Sequence, residues 1–264
     1  MPIDSRGDRS PMKIASWNVN SIRVRLQQVL DWLEAEQPDV IGLQEIKVPD
    51  EAFPAEAFTE AGYQCLVNGQ KTYNGVALLS KQAPQDALID MPGLADPQKR
   101  AVSATFDGCR IINLYVPNGE SVGSEKYSYK LGWLESLRAW LAAELAAHDR
   151  LVVMGDFNIA PEDRDVHDPE EWRGKVLCSD RERAALGSLL QLGLQDSFRL
   201  FEQPEKMYSW WDYRSGGFRR NHGLRIDLLL VSKGLAPLCK QSRIDREPRA
   251  LERPSDHAPV WLEF

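Results

Sequence analysis

Predominantly apolar runs along this chain stop, again and again, at acids or amides. KIASWNV, starting at Lys13, reads as a strand and ends in Asn18-Val19-Asn20-Ser21. Ser21 is placed to cap the next segment, where Val24, Leu26, Val29, Leu30 and Leu33 recur at helical spacing. Pro38-Asp39 stops that helix, and VIGLQ reads as a second buried strand that delivers Glu45 at its end. This strand–helix–strand opening fits a parallel β-α-β unit, and an antiparallel placement equally.

Between residues 63 and 116 the texture changes. The short runs YQCLV, NGVALLS, AVSATF and RIINLYV alternate with turn residues, among them Tyr73-Asn74-Gly75 and Asp107-Gly108, which predicts an antiparallel meander. A long helix is expected from about Glu125 to His148, with Leu131, Leu134, Leu137, Leu141 and Leu145 inward. RLVVMGDFN then forms a buried strand with a polar end. Residues 160–182 are polar and irregular and read as a functional loop rather than core. A helix around Arg183–Leu192 follows, with strands at YSWW, RIDLLLV and APVWLEF. The pattern predicts an α/β protein of two layered sheets flanked by helices, one domain over residues 12–264. Residues 1–11 have no apolar core and read as a disordered extension rather than a secretory signal.

Composition narrows the class. The chain has 264 residues, 43% hydrophobic, with Trp 8, Tyr 7 and Phe 8, which is too much large apolar surface for a disordered chain. No stretch approaches the ~20 apolar residues of a membrane span. A net charge of −7 argues against coating nucleic acid by bulk electrostatics, but leaves room for acids converging on metal ions beside a local basic rim. Cys65, Cys109, Cys178 and Cys239 are scattered without a Cys-x-x-Cys pair, which disfavours a disulfide framework or zinc site and fits a reducing cytoplasm.

The chemistry sits at the strand ends. Asn18 and Asn20, Glu45, Asp156 with Asn158, Asp227, and Asp256-His257 all lie at or beside core-forming runs. Asp156 alone would be a turn or cap residue, and His257 alone a satisfied core histidine. Taken together, these strand ends resist that reading. Buried carboxylates must be paired or must hold cations, and no matching set of buried Lys or Arg is evident. An oxygen-rich cluster of this kind suits Mg²⁺ or Mn²⁺ better than zinc. A second feature is the alternation of rings and cations in Trp210-Trp211-Asp212-Tyr213, Arg219, Arg220 and Arg225, with Arg23, Arg25 and Lys47 as further candidates for a basic rim. Rings stack on bases, and arginines follow phosphates.

The motifs WNVNSIR, LQEIK, YVPNG, GDFNIAP, GLRIDLLLVS and PSDHAPV, in this order, resemble those of the exonuclease III family of bacterial DNA-repair nucleases, from Met12 to Phe264. The resemblance implies a four-layered α/β sandwich of two packed, mainly antiparallel sheets, and a Mg²⁺-dependent, monomeric enzyme with Mn²⁺ able to substitute. It implies Glu45 as principal metal carboxylate, with Asn18 helping to hold the ion's shell and Asp256 as a further ligand. Asp156 would activate the attacking water, Asn158 orient it or stabilise the transition state, and His257, hydrogen-bonded to Asp227, sit against the scissile phosphate. Asp156, Asn158 and His257 are alternatively a second metal position. Tyr115 would contact the phosphate or leaving oxygen. Asn118, Lys47, Trp210, Arg219, Arg220, Leu224 and Arg225 would meet DNA, with Trp210, Leu224 and Ile226 forming a small pocket for a base-less nucleotide.

The implied substrate is double-stranded DNA with blocked 3′ ends or abasic sites, processed by 3′→5′ exonuclease, 3′-phosphatase and 5′-abasic cleavage. A phosphatase or RNase of the wider superfamily and a catalytically silent nucleic-acid-binding regulator are the alternatives. VHDPEEWRGKVLCSDRER, after GDFNIAP, carries His167 and Trp172, bulky enough to crowd a continuous duplex and to favour a frayed 3′ end.

Overall fold

Strand side chains alternate between two faces, so a strand that is apolar at every position must be covered on both. The computed structural model, which describes residues 11–264, shows that cover; of the extension expected to be disordered, residues 1–10 lie outside the described residues. Two six-stranded sheets pack face to face. The first contains β1 (Lys13–Asn18), β2 (Val40–Gln44), β3 (Gln64–Asn68), β4 (Val76–Ser80), β11 (Gln241–Ile244) and β12 (Val260–Glu263), in the order β11-β12-β1-β2-β4-β3. The second contains β5 (Gln85–Ile89), β6 (Ala101–Phe106), β7 (Cys109–Tyr115), β8 (Leu151–Asp156), β9 (Leu194–Asp196) and β10 (Asp227–Ser232), in the order β5-β6-β7-β8-β10-β9. Each sheet has one parallel pair, β1 with β2 and β7 with β8, among antiparallel neighbours.

The alternation can be followed residue by residue. Ile14, Val76, Leu78, Val152, Met154, Leu229 and Val231 meet between the sheets. Their neighbours Ala15, Ala77 and Leu79 turn outward onto α1 (Ile22–Glu36) and α2 (Ala55–Glu60), which contribute Val29, Leu33 and Phe58. Leu151, Val153, Leu228 and Leu230 turn outward onto α3 (Glu125–Ala147) and α5 (Asp180–Leu190), which supply Leu134, Leu137, Leu141, Leu186 and Leu189. The result is the expected helix–sheet–sheet–helix sandwich.

The opening unit is the parallel β-α-β of the two placements that the sequence allows. Several other details differ from the sequence reading. Ser21 makes no side-chain cap, and Val24 is exposed. The expected meander is split, β3 and β4 in one sheet and β6 and β7 in the other with β5 added beside β6, because short apolar runs do not say which sheet a strand joins. YSWW forms no strand: Trp210 makes only isolated bridges to Leu224 and His257. Ser209 Oγ instead accepts from the backbone N–H of Ile226 and of Asp227, both at 3.0 Å. Residues 160–182 are not simply a polar loop, since Ala160, Val166, Leu177 and Cys178 form a satellite core with Leu224 and Ile226.

A buried amide lattice holds the two sheets in register. Asn113 Nδ2 on β7 donates to Leu43 O (3.0 Å) and Ala77 O (2.9 Å) in the opposite sheet. Gln44 Nε2 donates to Asn113 Oδ1 (2.6 Å) and Ser16 Oγ (3.0 Å). Removing the Asn113 amide takes one acceptor from Gln44 and the donor that reaches Leu43 O and Ala77 O, so Asn113→Ala should lower the unfolding free energy by ~1–3 kcal/mol, the cost of buried polar groups losing a partner. A reduced urea midpoint with unchanged slope is the expected reading.

Candidate active site

The topology sends every polar strand end to one edge. Parallel neighbours deliver their C-terminal ends together: Asn18 of β1 is paired with Gln44, just before Glu45, and Tyr115 of β7 is paired with Asp156 of β8. Antiparallel neighbours deliver their starts there. Asp227 opens β10 opposite Asp156, and Asp256-His257 lies just before β12, which runs antiparallel to β1.

At this edge the side chains converge. Asn18 Nδ2 donates to Glu45 Oε1 and to Asp156 Oδ2, both at 2.9 Å, bridging the sheets. His257 Nδ1 lies 2.9 Å from Asp227 Oδ2, which leaves Nε2 facing Asp156 Oδ2 at 3.7 Å. Asn158 N donates to Asp156 Oδ1 at 2.9 Å. Its side-chain nitrogen donates to Val116 O (3.0 Å), and its oxygen accepts from Asn118 Nδ2 (3.1 Å). Lys47 Nζ is 3.0 Å from Glu45 Oε2 and also donates to Asn20. The Arg100 guanidinium lies over the Tyr115 ring, 4.8 Å from its centroid.

Burial shapes the electrostatics. Desolvation pushes the Asp156 carboxyl up, against the opposing charge of His257. For His257 desolvation acts downward, but the carboxylates of Asp227 and Asp156 outweigh it and hold the ring's pKa above its ordinary value. Desolvation, then Glu45 and Asp156, keeps the Tyr115 hydroxyl protonated. Burial alone would raise Asp256, yet His257 and the hydrogen bonds from Asn20 and Trp210 hold it below the usual carboxylate range. Asn20, Ser21, Glu45, Lys47 and Asn158 all take positive φ, so the loops that carry these groups hold strained backbone.

Glu45, Asp156 and His257 present ligand atoms within 4.8 Å of one another, a donor set of oxygens and imidazole without thiolate. That chemistry fits a divalent ion of the Mg²⁺ or Mn²⁺ kind. Asn18 turns its amide nitrogen to both carboxylates, and so brackets the ligands rather than adding one. Asp256 stands outside this group, its oxygens taken by Asn20 Nδ2 (2.9 Å) and Trp210 Nε1 (3.0 Å). Asn158 is likewise committed to the neighbouring loop.

Two expected DNA contacts are corrected. Leu224 is 0% exposed, packed in the satellite core, where no pocket can reach it. Arg225 is 1% exposed and ion-paired with Asp165 (2.6 Å) and Asp196 (2.7 Å). Arg225 precedes β10 and points inward, where a surface cation was expected, because two carboxylates claim its guanidinium. Arg219 and Arg220 are exposed on α6 (Gly217–Arg220), Asn118 is exposed, and Trp210 and Lys47 are half-buried. A cavity of about 600 Å³ beside Tyr115, lined by Tyr73, Asn74, Gln98, Arg100 and Tyr129 among others, went unnoticed in the sequence because its residues come from separate loops.

Comparison with known proteins agrees with this geometry. Residues 15–257 match the model of the endonuclease/exonuclease/phosphatase family. The chain belongs to that family. It is 44% identical to exodeoxyribonuclease III of Haemophilus influenzae, covering 96% of this chain and 100% of the relative. The 3′ phosphatase NExo from Neisseria, solved with a product DNA hairpin, superposes with a TM-score of 0.94 at 49% identity, covering 96% and 99% of the two chains. An AP endonuclease from Archaeoglobus fulgidus superposes at 0.91 with 38% identity, covering 95% and 98%. Within this family frame, Arg225→Ala should cost ~1–3 kcal/mol of stability, because Asp196 loses the Arg225 ion pair and buried Asp165 is left to Arg199. The folded protein should bind DNA as before, whereas Arg219→Ala should weaken binding with little change in melting temperature.

Proposed function

We propose that the protein is a divalent-metal-dependent DNA-repair nuclease that hydrolyses phosphodiesters and phosphomonoesters at 3′ ends. The observation that carries this reading is the Glu45–Asp156–His257 group, with His257 backed by Asp227, at the edge where both sheets end. Phosphodiester hydrolysis needs an in-line water, charge neutralisation on the phosphoryl oxygens and stabilisation of the leaving oxygen. Glu45, bracketed by Asn18, is the principal carboxylate for the ion, which when bound neutralises phosphoryl charge and polarises the phosphate. Asp156 Oδ2 takes the proton of the attacking water, and Asn158 fixes that water's direction. His257 Nε2, with Nδ1 tied to Asp227, places positive charge where negative charge develops. Tyr115 donates its hydroxyl to the phosphate or leaving oxygen, while Trp210, Lys47, Asn118, Arg219 and Arg220 form the DNA-facing rim.

The preference for 3′ ends is supported by His167. Its backbone N–H donates to Gly223 O (3.1 Å), and its ring stacks on His222 with centroids 4.7 Å apart. The neighbouring Val166 bridges to Leu224, which bridges to Trp210, so this paired ring platform stands on the same loops that brace Asp256. A rigid pair of rings beside the site obstructs a continuous duplex more than a frayed terminus. Cleavage 5′ to abasic sites is the second reading, favoured by the likeness to the Archaeoglobus AP endonuclease. A silent regulator is disfavoured because the catalytic constellation is intact. We further read residues 12–264 as one catalytic domain, acting as a monomer in the cytoplasm; all four cysteines are free, and among the described residues no helix is long and apolar enough to cross a membrane.

Glu45→Ala should sharply weaken Mg²⁺ and Mn²⁺ affinity, and excess chelator should abolish turnover by the parent enzyme. Asp156→Asn should lower kcat by ~10²–10⁴ while DNA binding persists. Matched duplexes carrying a 3′-phosphate, a plain 3′-hydroxyl end or an internal abasic analogue separate the two substrate readings. Turnover on the two 3′-end substrates is expected. Fast abasic cleavage without either would overturn the ordering.

A further inference from the structure

Helix α3 buries a stripe of Tyr127, Lys130, Leu134, Leu137 and Leu141. A lysine in such a stripe is costly, because desolvation opposes its charge. Lys130 and Glu182 are both 0% exposed, so neither can touch substrate. The ammonium has three donors and finds three acceptors. They are Asn118 O at 3.0 Å, Asn158 O at 2.6 Å and Glu182 Oε1 at 2.5 Å. The first two belong to the loops that follow β7 and β8, and the third to α5.

Glu182 is itself fully engaged. It accepts from Leu177 N (3.0 Å), Ser179 N (3.2 Å) and Ser179 Oγ (2.5 Å), closing the capping box that starts α5. Tyr127 OH, one turn before Lys130, reaches Ser179 Oγ at 2.7 Å. Gly119 permits the close approach above: at φ +96°, a Cβ there would meet Lys130 Cδ at 3.1 Å.

We propose that Lys130, seated by Glu182, is a positioning residue that clamps the Asn118 and Asn158 loops together from beneath and so sets the direction of the Asn158 amide. The inference rests on the nuclease reading of Asn158. Asn158 holds a left-handed backbone, φ 50°, that an L residue adopts only at a cost. Its N–H is tied to Asp156, its side chain to Val116 and Asn118, and its carbonyl to Lys130. Lys130 therefore supplies the charge-assisted bond that fixes the peptide following Asn158. A buried ion pair is weak evidence for stability, since an apolar pair of similar volume is often as stable. Its use here is geometric.

The test pairs Lys130→Met with Glu182→Gln, so that no lone charge is buried, and compares the double variant with Lys130→Gln made in the same Glu182→Gln background and with Leu137→Ala on the same helix. Each is melted by circular dichroism and assayed where it is fully folded, on whichever 3′-phosphate, 3′-hydroxyl or abasic duplex the parent cleaves. Failure of the parent on all three rejects the nuclease reading, whereas the ratio of variant to parent reports on Lys130. The double variant should keep KM within about twofold and lose kcat by at least ~10-fold, in line with the cost of small misplacements at a reacting centre. Lys130→Gln, which retains one donor group, should fall between the double variant and the parent. Leu137→Ala should lose melting temperature but keep kcat. The proposal is overturned by a folded Lys130 variant with kcat within about threefold of the parent, by a rise in KM with kcat unchanged, or by an equal loss of kcat in Leu137→Ala. A double variant that does not fold leaves Lys130→Gln to decide by the same kcat criterion.

Discussion

The relative placement of two separately hydrogen-bonded sheets is the constraint on which the rest depends. Backbone ladders set register within a sheet but say nothing about the next one. That is decided by Asn113, whose amide crosses from β7 to Leu43 O and Ala77 O, and by Gln44, which returns the contact. Gln44 immediately precedes Glu45, and Asn113 stands two residues before Tyr115. The bond from Asn18 to Asp156 crosses the same gap at the rim. Apolar packing alone would tolerate sliding of one sheet over the other, whereas directional buried amides do not.

Charge is partitioned with equal economy. Three of the buried cations, Lys130, Arg110 and Arg225, serve Glu182, Glu144, Asp165 and Asp196, none of which lies in the catalytic group. The acids at the site are left to Lys47, His257 and the ion that the donor set fits. A net charge of −7 therefore does not by itself oppose contact with a polyanion, since the charge that matters is local and Arg219 and Arg220 are exposed side by side on α6.

The segment after GDFN shows how support and selectivity share one structure. Its apolar positions form a satellite core beneath Leu224 and Ile226, while His167 rides above on His222. Ordering a long loop costs conformational entropy, and the satellite core offsets that cost. A platform held this firmly is what the proposed preference for 3′ ends requires.

The sequence alone determined the strand runs, the long helix, and the list of residues able to carry the chemistry, because buried strands and acids at their ends violate ordinary surface composition. Glu45, Asp156, Asp227 and His257 were legible for that reason, and WNVN, GDFN and SDH gave their order. What it could not show was direction and exposure. Arg225 and Leu224 look like surface and pocket residues until the Asp165 and Asp196 carboxylates and the satellite core bury them. The split meander, the parallel β1–β2 pair and the fate of YSWW depend on which partner a strand finds, a non-local choice invisible to local periodicity. Lys130 left a trace as a lysine on an apolar helical stripe, but its acceptors come from three distant segments. Only the tertiary structure decided which polar groups meet, because hydrogen bonds are directional and short while the positions they join are scores of residues apart.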